Sequence, residues 1–204
     1  VSAANGADLG ALLGHGGHQA PPQHGDGCPA GGRGAVLGRP NGGKSSFINR
    51  LLGEERLVVS EIADTTLDSI DTPFNFHGRP IIFVDTAGLR RQARIDDGIE
   101  FYSSLRTRRA IDRADICLLL IDAVEGLHNQ DLKIATLAWE AGRGLIFVVN
   151  KWDLVSKDDK TAAKFQKKCV EKVPYLGFVP FLFTSAKTGP RVTKILDVLG
   201  EVET

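Results

Sequence analysis

Short apolar runs alternate with amphipathic stretches from about residue 34 to the end of the chain. The runs IIFVD, DICLLLIDA, GLIFVVN and VPFLFTS are apolar at almost every position, which is typical of strands buried on both faces in a parallel sheet. AVLG predicts another buried strand, and KSSFINRLLG has helical spacing and ends at a glycine. Further helical patterns cover about 98–112, 129–141, 158–172 and 191–202.

The order of these elements predicts an α/β fold. Strands that alternate with helices form βαβ units, in which a mostly parallel sheet carries helices on both sides. FNFHGRPIIFV has the pattern of a hairpin that turns at His77 and Gly78, which adds one antiparallel edge strand. We therefore expect a three-layer α/β/α domain with a mostly parallel six-stranded sheet. We find no internal repeat.

Residues 1–33 have a different composition, rich in Gly, Ala, Pro and His and poor in aromatic and β-branched side chains. Such a segment buries too little to offset its ordering entropy, so we predict a flexible linker or tail at 1–33 and one domain at 34–204. Zinc binding is the alternative, although the spacing matches no common zinc pattern. The candidate ligands are His15, His18, His24 and Cys28.

Composition and charge exclude several classes of protein. Lysine plus arginine and aspartate plus glutamate number 25 each, so no overall field draws the chain to nucleic acid or to an anionic membrane. The apolar run ICLLLIDAV is too short to span a bilayer, and we see no signal-peptide pattern. The three cysteines indicate reduced thiols, so we expect a cytoplasmic protein without membrane contact. The chain lacks methionine and begins with valine, and we expect a fragment or processed form.

The stretch GRPNGGKSS fits the pattern G-x-x-x-x-G-K-[ST] between a predicted strand and a predicted helix. Backbone N–H groups of such a loop point at phosphate oxygens, Lys44 adds charge toward the β and γ phosphates, and Ser45 offers a hydroxyl to Mg²⁺. The alternative is a plain glycine turn before a helix. The predicted phosphate-binding residues are Gly38, Arg39, Pro40, Asn41, Gly42, Gly43, Lys44, Ser45 and Ser46.

Two further motifs, NKWD and TSAK, follow later strands and indicate which base is bound. The Asp153 carboxylate can accept hydrogen bonds from N1–H and the exocyclic amine of guanine, a donor pair that adenine lacks. A backbone N–H near Ala186 can meet the guanine O6, and Lys187 can cover the base. The motifs argue against the alternative of an ATP-using P-loop kinase or ATPase. The predicted base-binding residues are Asn150, Lys151, Asp153, Ser185, Ala186 and Lys187.

DTAG follows the strand IIFV, where Asp85 can reach Mg²⁺ and the Gly88 N–H can sense a γ-phosphate. Upstream, ADTTLD offers Thr65 and Thr66 as metal ligands, and the alternative for this threonine pair is a solvated loop. The predicted nucleotide-binding set here is Asp85, Thr86, Ala87 and Gly88, and the predicted metal ligands are Ser45, Thr65, Thr66 and Asp85.

Together, GRPNGGKSS, DTT, DTAG, NKWD and SAK resemble the Era-like branch of the translation-factor-class P-loop GTPases. Residues 34–204 resemble, within that branch, the second GTPase domain of the Der (EngA) family. The resemblance implies a P-loop GTPase fold, GTP hydrolysis to GDP with Mg²⁺, and assembly of the large ribosomal subunit through its precursor and rRNA. That family carries two GTPase domains and a KH-like domain, so we expect that other domains of a longer chain are missing here.

The resemblance also bears on catalysis. Leu89 stands where Ras-like enzymes place a water-orienting glutamine, and Era-like relatives without it often use K⁺ bound partly by a phosphate-loop asparagine. Asn41 matches that position, so we expect K⁺ to act as an arginine finger does. The alternative is that Asn41 only shapes the loop. The predicted catalytic residues are Lys44, Asn41, Thr65, Thr66 and Gly88.

Three differences from the family pattern occur, in the phosphate loop, in DTTLD and at Pro190. Gly42 replaces valine and makes the loop more flexible, so that ordering the loop costs ~0.5–1 kcal/mol more free energy. DTTLD places Asp64 and Leu67 where the family has glycine and arginine, and Asp64 can repel the triphosphate or compete for the metal. Pro190 replaces a glutamine without evident consequence. The first two favour an alternative function, a GTP/GDP-binding interaction module with little or no hydrolysis.

LRRQAR and LRTRRAIDR contain a cluster of arginines that follows DTAG. One interpretation is contact with rRNA or a partner domain in one nucleotide state. The other is a solvated helix face with Asp96, Asp97 and Asp112 as local partners. The sequence leaves both open. The arginines are Arg90, Arg91, Arg94, Arg106, Arg108, Arg109 and Arg113.

Overall fold

The computed structural model describes residues 32–53, 57–59, 71–76, 79–86, 100–156, 158, 160–187 and 194–196. Seven strands form one sheet in the order β2–β3–β4–β1–β5–β6–β7. The strands are β1 (Gly32–Leu37), β2 (Leu57–Val59), β3 (Thr72–Phe76), β4 (Arg79–Val84), β5 (Ile116–Asp122), β6 (Gly144–Asn150) and β7 (Phe181–Phe183). The helices are α1 (Lys44–Leu52), α2 (Glu100–Arg113), α3 (Asn129–Glu140) and α4 (Thr161–Lys172).

The six predicted strands are all present, and the short strand β2 extends the sheet to seven. β3 runs antiparallel to both β2 and β4, while β4, β1, β5, β6 and β7 are parallel. The antiparallel strand is therefore second from the edge and not the edge strand that the sequence predicted. Phe76 pairs with Arg79, which confirms the hairpin, although its turn residues His77 and Gly78 lie outside the described residues.

Helices cover both faces of the sheet, so the three-layer architecture is confirmed. Residues of β5 alternate between the two layers because successive side chains of a strand point to opposite faces. One apolar cluster joins the sheet to α1 and residues 194–196 through Phe47, Ile48, Leu51, Ile195 and Leu196. The other joins it to α2, α3 and α4 through Ala110, Ile111, Ile134, Ala135, Ala138 and Cys169.

β1 lies in the centre of the sheet between β4 and β5. The carboxyl ends of the parallel strands open on one edge, where open α/β sheets bind their ligands. Each predicted motif within the described residues begins at this edge. The first strand begins at Gly32, inside the predicted tail, and residues 1–31 lie outside the described residues, so the 1–33 and 34–204 division stays a prediction.

Among the described helices, none combines the length and the apolar character that crossing a bilayer requires.

Candidate functional site

The phosphate loop connects β1 to α1, as the sequence predicted, and two of its glycines are required by geometry. Gly38 has a φ of 135°, and a Cβ there would lie 2.6 Å from the Leu120 carbonyl oxygen. Gly43 has a φ of 88°, and a Cβ there would collide with the side-chain amide of Asn150. Asn41, with a φ of 61°, is a non-glycine residue in the left-handed region. The backbone is thus folded tightly against β5 and β6.

The first turn of α1 faces this loop with Lys44 and Ser45. The turn contains no acidic residue, so the positive end of the helix dipole faces the loop without a carboxylate of its own turn to compete with an anion. Lys44 Nζ donates to the carbonyl oxygen of Arg39 at 2.6 Å. Burial lowers the pKa of Lys44 to about 8, against the opposing effect of the Asp131 carboxylate. The cation is therefore held inside the loop where a phosphate would bind.

Asn150 joins the phosphate loop to both base-recognition motifs. Its side chain is buried, its Nδ2 donates to the Gly42 carbonyl oxygen at 3.3 Å, and its Oδ1 accepts the Ala186 N–H at 2.9 Å. The sequence assigned an N–H near Ala186 to the guanine O6. In this structure the N–H of Ala186 itself is engaged by Asn150, so that role requires a neighbouring N–H or a shared bond.

The remaining base-loop residues differ in exposure. Asp153 is exposed on the short 3₁₀ turn Trp152–Leu154, where a base can reach it. Ser185 is buried and Lys187 is exposed. Lys151 has a φ of 60°, and its Nζ binds Asp122 Oδ2 at 2.6 Å. The lysine of NKWD is therefore fixed by a carboxylate at the end of β5.

Three aromatic rings hold the two base loops together. The Trp152 ring lies 4.5 Å from Phe183 and 5.9 Å from Phe165 between centroids, and the latter two are 6.1 Å apart. The backbone N–H of Trp152 also donates to the Thr184 carbonyl oxygen at 3.1 Å. Trp152 precedes Asp153 directly, so this packing orients the residue that is predicted to read the base.

Asp85 lies at the carboxyl end of β4, next to the phosphate loop. Its N–H donates to Asp71 Oδ1 at 3.0 Å, and its Oδ2 pairs with Arg106 Nε at 3.1 Å. Burial raises the pKa of Asp85, and the Arg106 guanidinium opposes that rise. The Thr86 hydroxyl shares a hydrogen bond with Thr72. The other predicted residues of this region, Thr65, Thr66, Ala87 and Gly88, lie outside the described residues.

The arginine cluster is partly engaged within the domain. Arg106 pairs with Asp85, and Arg113 pairs with Asp71 at 2.5 Å. Of the aspartates that the sequence suggested as local partners, Asp96 and Asp97 lie outside the described residues. Arg108 is exposed, as is Arg109. Arg90, Arg91 and Arg94 lie outside the described residues. The described helix therefore presents fewer available cations than its sequence contains.

Sequence reasoning missed three acidic residues that support the site: Asp122, Glu125 and Asp131. Asp122 binds Lys151, while Glu125 and Asp131 both bind Arg39. For Asp122 a signal existed, since it ends a buried parallel strand at the same sheet edge as Asp85. The partners of Asp131 depend on a contact between residues 92 positions apart, which no local pattern reveals.

The donor set suits a hard cation that shares its shell with a nucleotide. Ser45 and Asp85 offer oxygen ligands beside the phosphate loop, which is the chemistry that Mg²⁺ prefers. Among the described residues no group of three or more His, Cys, Asp or Glu side chains forms a metal site by itself. The residues thus fit a magnesium ion that takes most of its ligands from phosphate and water.

Comparison with known proteins agrees with this geometry. A family model described as 50S ribosome-binding GTPase matches residues 33–151. GTPase Der of Gemmatimonas aurantiaca is 70% identical over 170 residues, which are 83% of this chain and 39% of that protein. GTPase Der of a Thermoanaerobacter species is 48% identical over 202 residues, 99% of this chain and 46% of that protein. The chain thus spans less than half the length of these curated relatives.

A solved structure of Era with MgGDPNP and a segment of 16S ribosomal RNA superposes with a TM-score of 0.60 at 24% identity. The match covers 82% of this chain and 55% of Era, and at that identity it shows the fold alone. The loop, the helix N-terminus and the base motifs occur here in the order that a P-loop GTPase requires. The chain belongs to the family of 50S ribosome-binding GTPases and is related to the proteins named GTPase Der.

Proposed function

We propose that this domain binds guanine nucleotide and hydrolyses GTP to GDP and phosphate, as a switch in the assembly of the large ribosomal subunit in the cytoplasm. The observation that carries the proposal is the position of Asn150, which ties the phosphate loop to both base loops. One nucleotide can then contact all of these motifs at once. The names of the family and of the relatives support the ribosomal part.

In this proposal each group has one task. Backbone N–H groups of the phosphate loop, in which Pro40 has no N–H, and of the first turn of α1 bind the phosphates, and Lys44 stabilises the charge that develops on them. Asp153 selects guanine through its carboxylate. Ser45 and Asp85, with Thr65 and Thr66, hold Mg²⁺. When bound, this ion neutralises charge on the phosphate oxygens.

K⁺ stimulation is a finer part of the proposal and depends on Asn41. The side chain is exposed at the rim of the loop, and its left-handed backbone is a conformation that asparagine tolerates. A monovalent cation there would add positive charge near the phosphates. In single-turnover assays with Mg²⁺ we expect faster GTP hydrolysis in potassium than in sodium, and loss of that difference in Asn41→Gly, which keeps the backbone unstrained.

The base specificity provides the sharpest test of the binding site. Asp153→Asn replaces an acceptor by a side chain that can donate to the C2 oxygen of xanthine. We expect GDP affinity to fall about 100-fold or more and xanthosine diphosphate affinity to rise, because the polar pairing is reversed. Titration calorimetry with GDP, ADP and xanthosine diphosphate measures this, and Glu171→Gln, an exposed acid on α4, is the matched control.

Two outcomes would change the proposal. Equal affinity of the wild-type chain for GDP and ADP would contradict the assignment of Asp153. Guanine-specific binding without turnover in either salt would favour a nucleotide-binding interaction module, with Asp64 and Gly42 as the first residues to restore. Co-sedimentation of the full-length protein with large-subunit precursors, with a GTP analogue and with GDP, tests the ribosomal part.

A further inference from the structure

Arg39 belongs to the phosphate loop, but its side chain binds two carboxylates of the segment that follows β5. Nη1 lies 2.9 Å from Glu125 Oε2, and Nε lies 3.0 Å from Asp131 Oδ2. The Asp131 side chain is 1% exposed, whereas that of Glu125 is 55% exposed. One ion pair is therefore buried under the loop and the other lies at its rim.

The carbonyl group of the same residue organises the inside of the loop. The Arg39 oxygen accepts Lys44 Nζ at 2.6 Å and the Gly42 N–H at 3.3 Å. An ammonium group has three donors, so Lys44 can keep this bond and still meet a phosphate. Arg39 therefore connects α3 to Lys44: its side chain binds Asp131 of α3, and its carbonyl oxygen binds Lys44.

The Asp131 carboxylate is buried, and only one of its two oxygens forms hydrogen bonds within the described residues. Its Oδ2 accepts both Arg39 Nε and the His128 N–H, the latter at 3.0 Å. Its Oδ1 is buried and has no hydrogen-bond partner among the described residues. Burial of a partly satisfied ion pair typically contributes little to stability or lowers it, compared with apolar packing. Asp131 also completes the capping box at the start of α3, which stabilises that helix, and its bond with Arg39 Nε connects the same carboxylate to the phosphate loop.

We propose that Asp131, supported by Glu125, is a positioning residue that holds Arg39 so that the phosphate loop is formed before nucleotide arrives. The inference rests on the proposed nucleotide binding at this loop. A loop that is already ordered does not lose conformational entropy on binding, so preorganisation raises affinity. This increase in affinity comes from contacts of the loop with the phosphates, and contacts with the base do not contribute to it.

The test compares affinities for GMP and GDP, because the second phosphate adds contacts with the loop. In competition against a fluorescent GDP analogue, we expect Asp131→Asn to lower GDP affinity about tenfold and GMP affinity much less. Asparagine retains an acceptor for the His128 N–H. Glu140→Gln, an exposed acid at the other end of α3, is the control and leaves both affinities unchanged.

A double-substitution cycle separates positioning from general damage. If Asp131 acts through Arg39, then Asp131→Asn combined with Arg39→Gln binds GDP no more weakly than Arg39→Gln alone. Additive losses, or equal losses for GMP and GDP, would overturn the proposal. Should Asp131→Asn fail to fold, Glu125→Gln at the exposed rim must lower the GDP-to-GMP affinity ratio in the same direction. Wild-type protein that fails to prefer GDP over ADP would instead refute the proposed function.

Discussion

Gly43 is the position at which a single added methyl group should separate folding from binding. Its φ is 88°, and a Cβ would press on the Asn150 amide that joins the loops. We expect Gly43→Ala to lower the free energy of unfolding by about 1–2 kcal/mol from backbone strain and to abolish measurable GDP binding. Urea unfolding and titration calorimetry on the same samples measure the two effects.

Gly142 supplies the matched control for that substitution. Its φ is 69°, but nothing lies within 4 Å of the Cβ that alanine would add. Gly142→Ala should therefore cost about 1 kcal/mol of stability and leave GDP affinity as it is. A similar loss of binding in both variants would mean that strain alone, and not the contact with Asn150, disables the site.

At the residue scale, the sequence could predict a residue's role when that role depends on its neighbours in the chain, and not when it depends on a distant contact. Gly38, Gly43 and Lys44 belong to one short motif whose spacing expresses the geometry of the loop, so the sequence identified them. Asp131 was missed because its role depends on Arg39, 92 positions away, and on complete burial. The bond from the Ala186 N–H to Asn150 is also a tertiary contact, so the sequence could not indicate which N–H near Ala186 is left for the base.

At the scale of elements, apolar runs located five strands, because a strand buried on both faces is continuously hydrophobic, and the hairpin pattern located β3. β2 escaped because it has three residues and forms by pairing with β3, a strand that lies later in the chain. This pairing also moved the antiparallel strand inward from the edge. The ends of α1 to α4 were located to within about three residues, as expected for element boundaries, while the helix predicted at 191–202 is described only at 194–196 and stays a prediction.

The ring cluster of Trp152, Phe165 and Phe183 links α4, β7 and the turn that carries Asp153. Phe165→Ala should lower stability by about 2–3 kcal/mol and reduce the preference for GDP over ADP, because the turn loses its support. Phe178→Ala is the control, since that ring is 45% exposed and contacts Trp139. The idea fails if both variants discriminate the bases as well as the wild type does.

At the scale of the whole molecule, the reactivity of two thiols can measure how often the helices α2, α3 and α4 separate from the sheet. Cys117 in β5 and Cys169 in α4 are free, buried and part of the same apolar cluster. Burial raises the pKa of Cys117 to about 12 and that of Cys169 to about 11. Folded protein therefore holds few thiolates at neutral pH, and these cysteines should resist thiol reagents until the layer opens.

Nucleotide should slow that opening by mass action, whichever loop contacts it makes. With Cys28→Ser to remove the third thiol, labelling at 100 times the GDP dissociation constant should be about 100-fold slower than without GDP. The contribution of these thiols to the free energy of unfolding falls as the pH rises. The thiols keep their protons in the folded state, so their contribution to stability is complete below pH 9 and declines as pH rises toward 11 and 12. Labelling that ignores GDP would mean that the layer opens locally, without release of the nucleotide site.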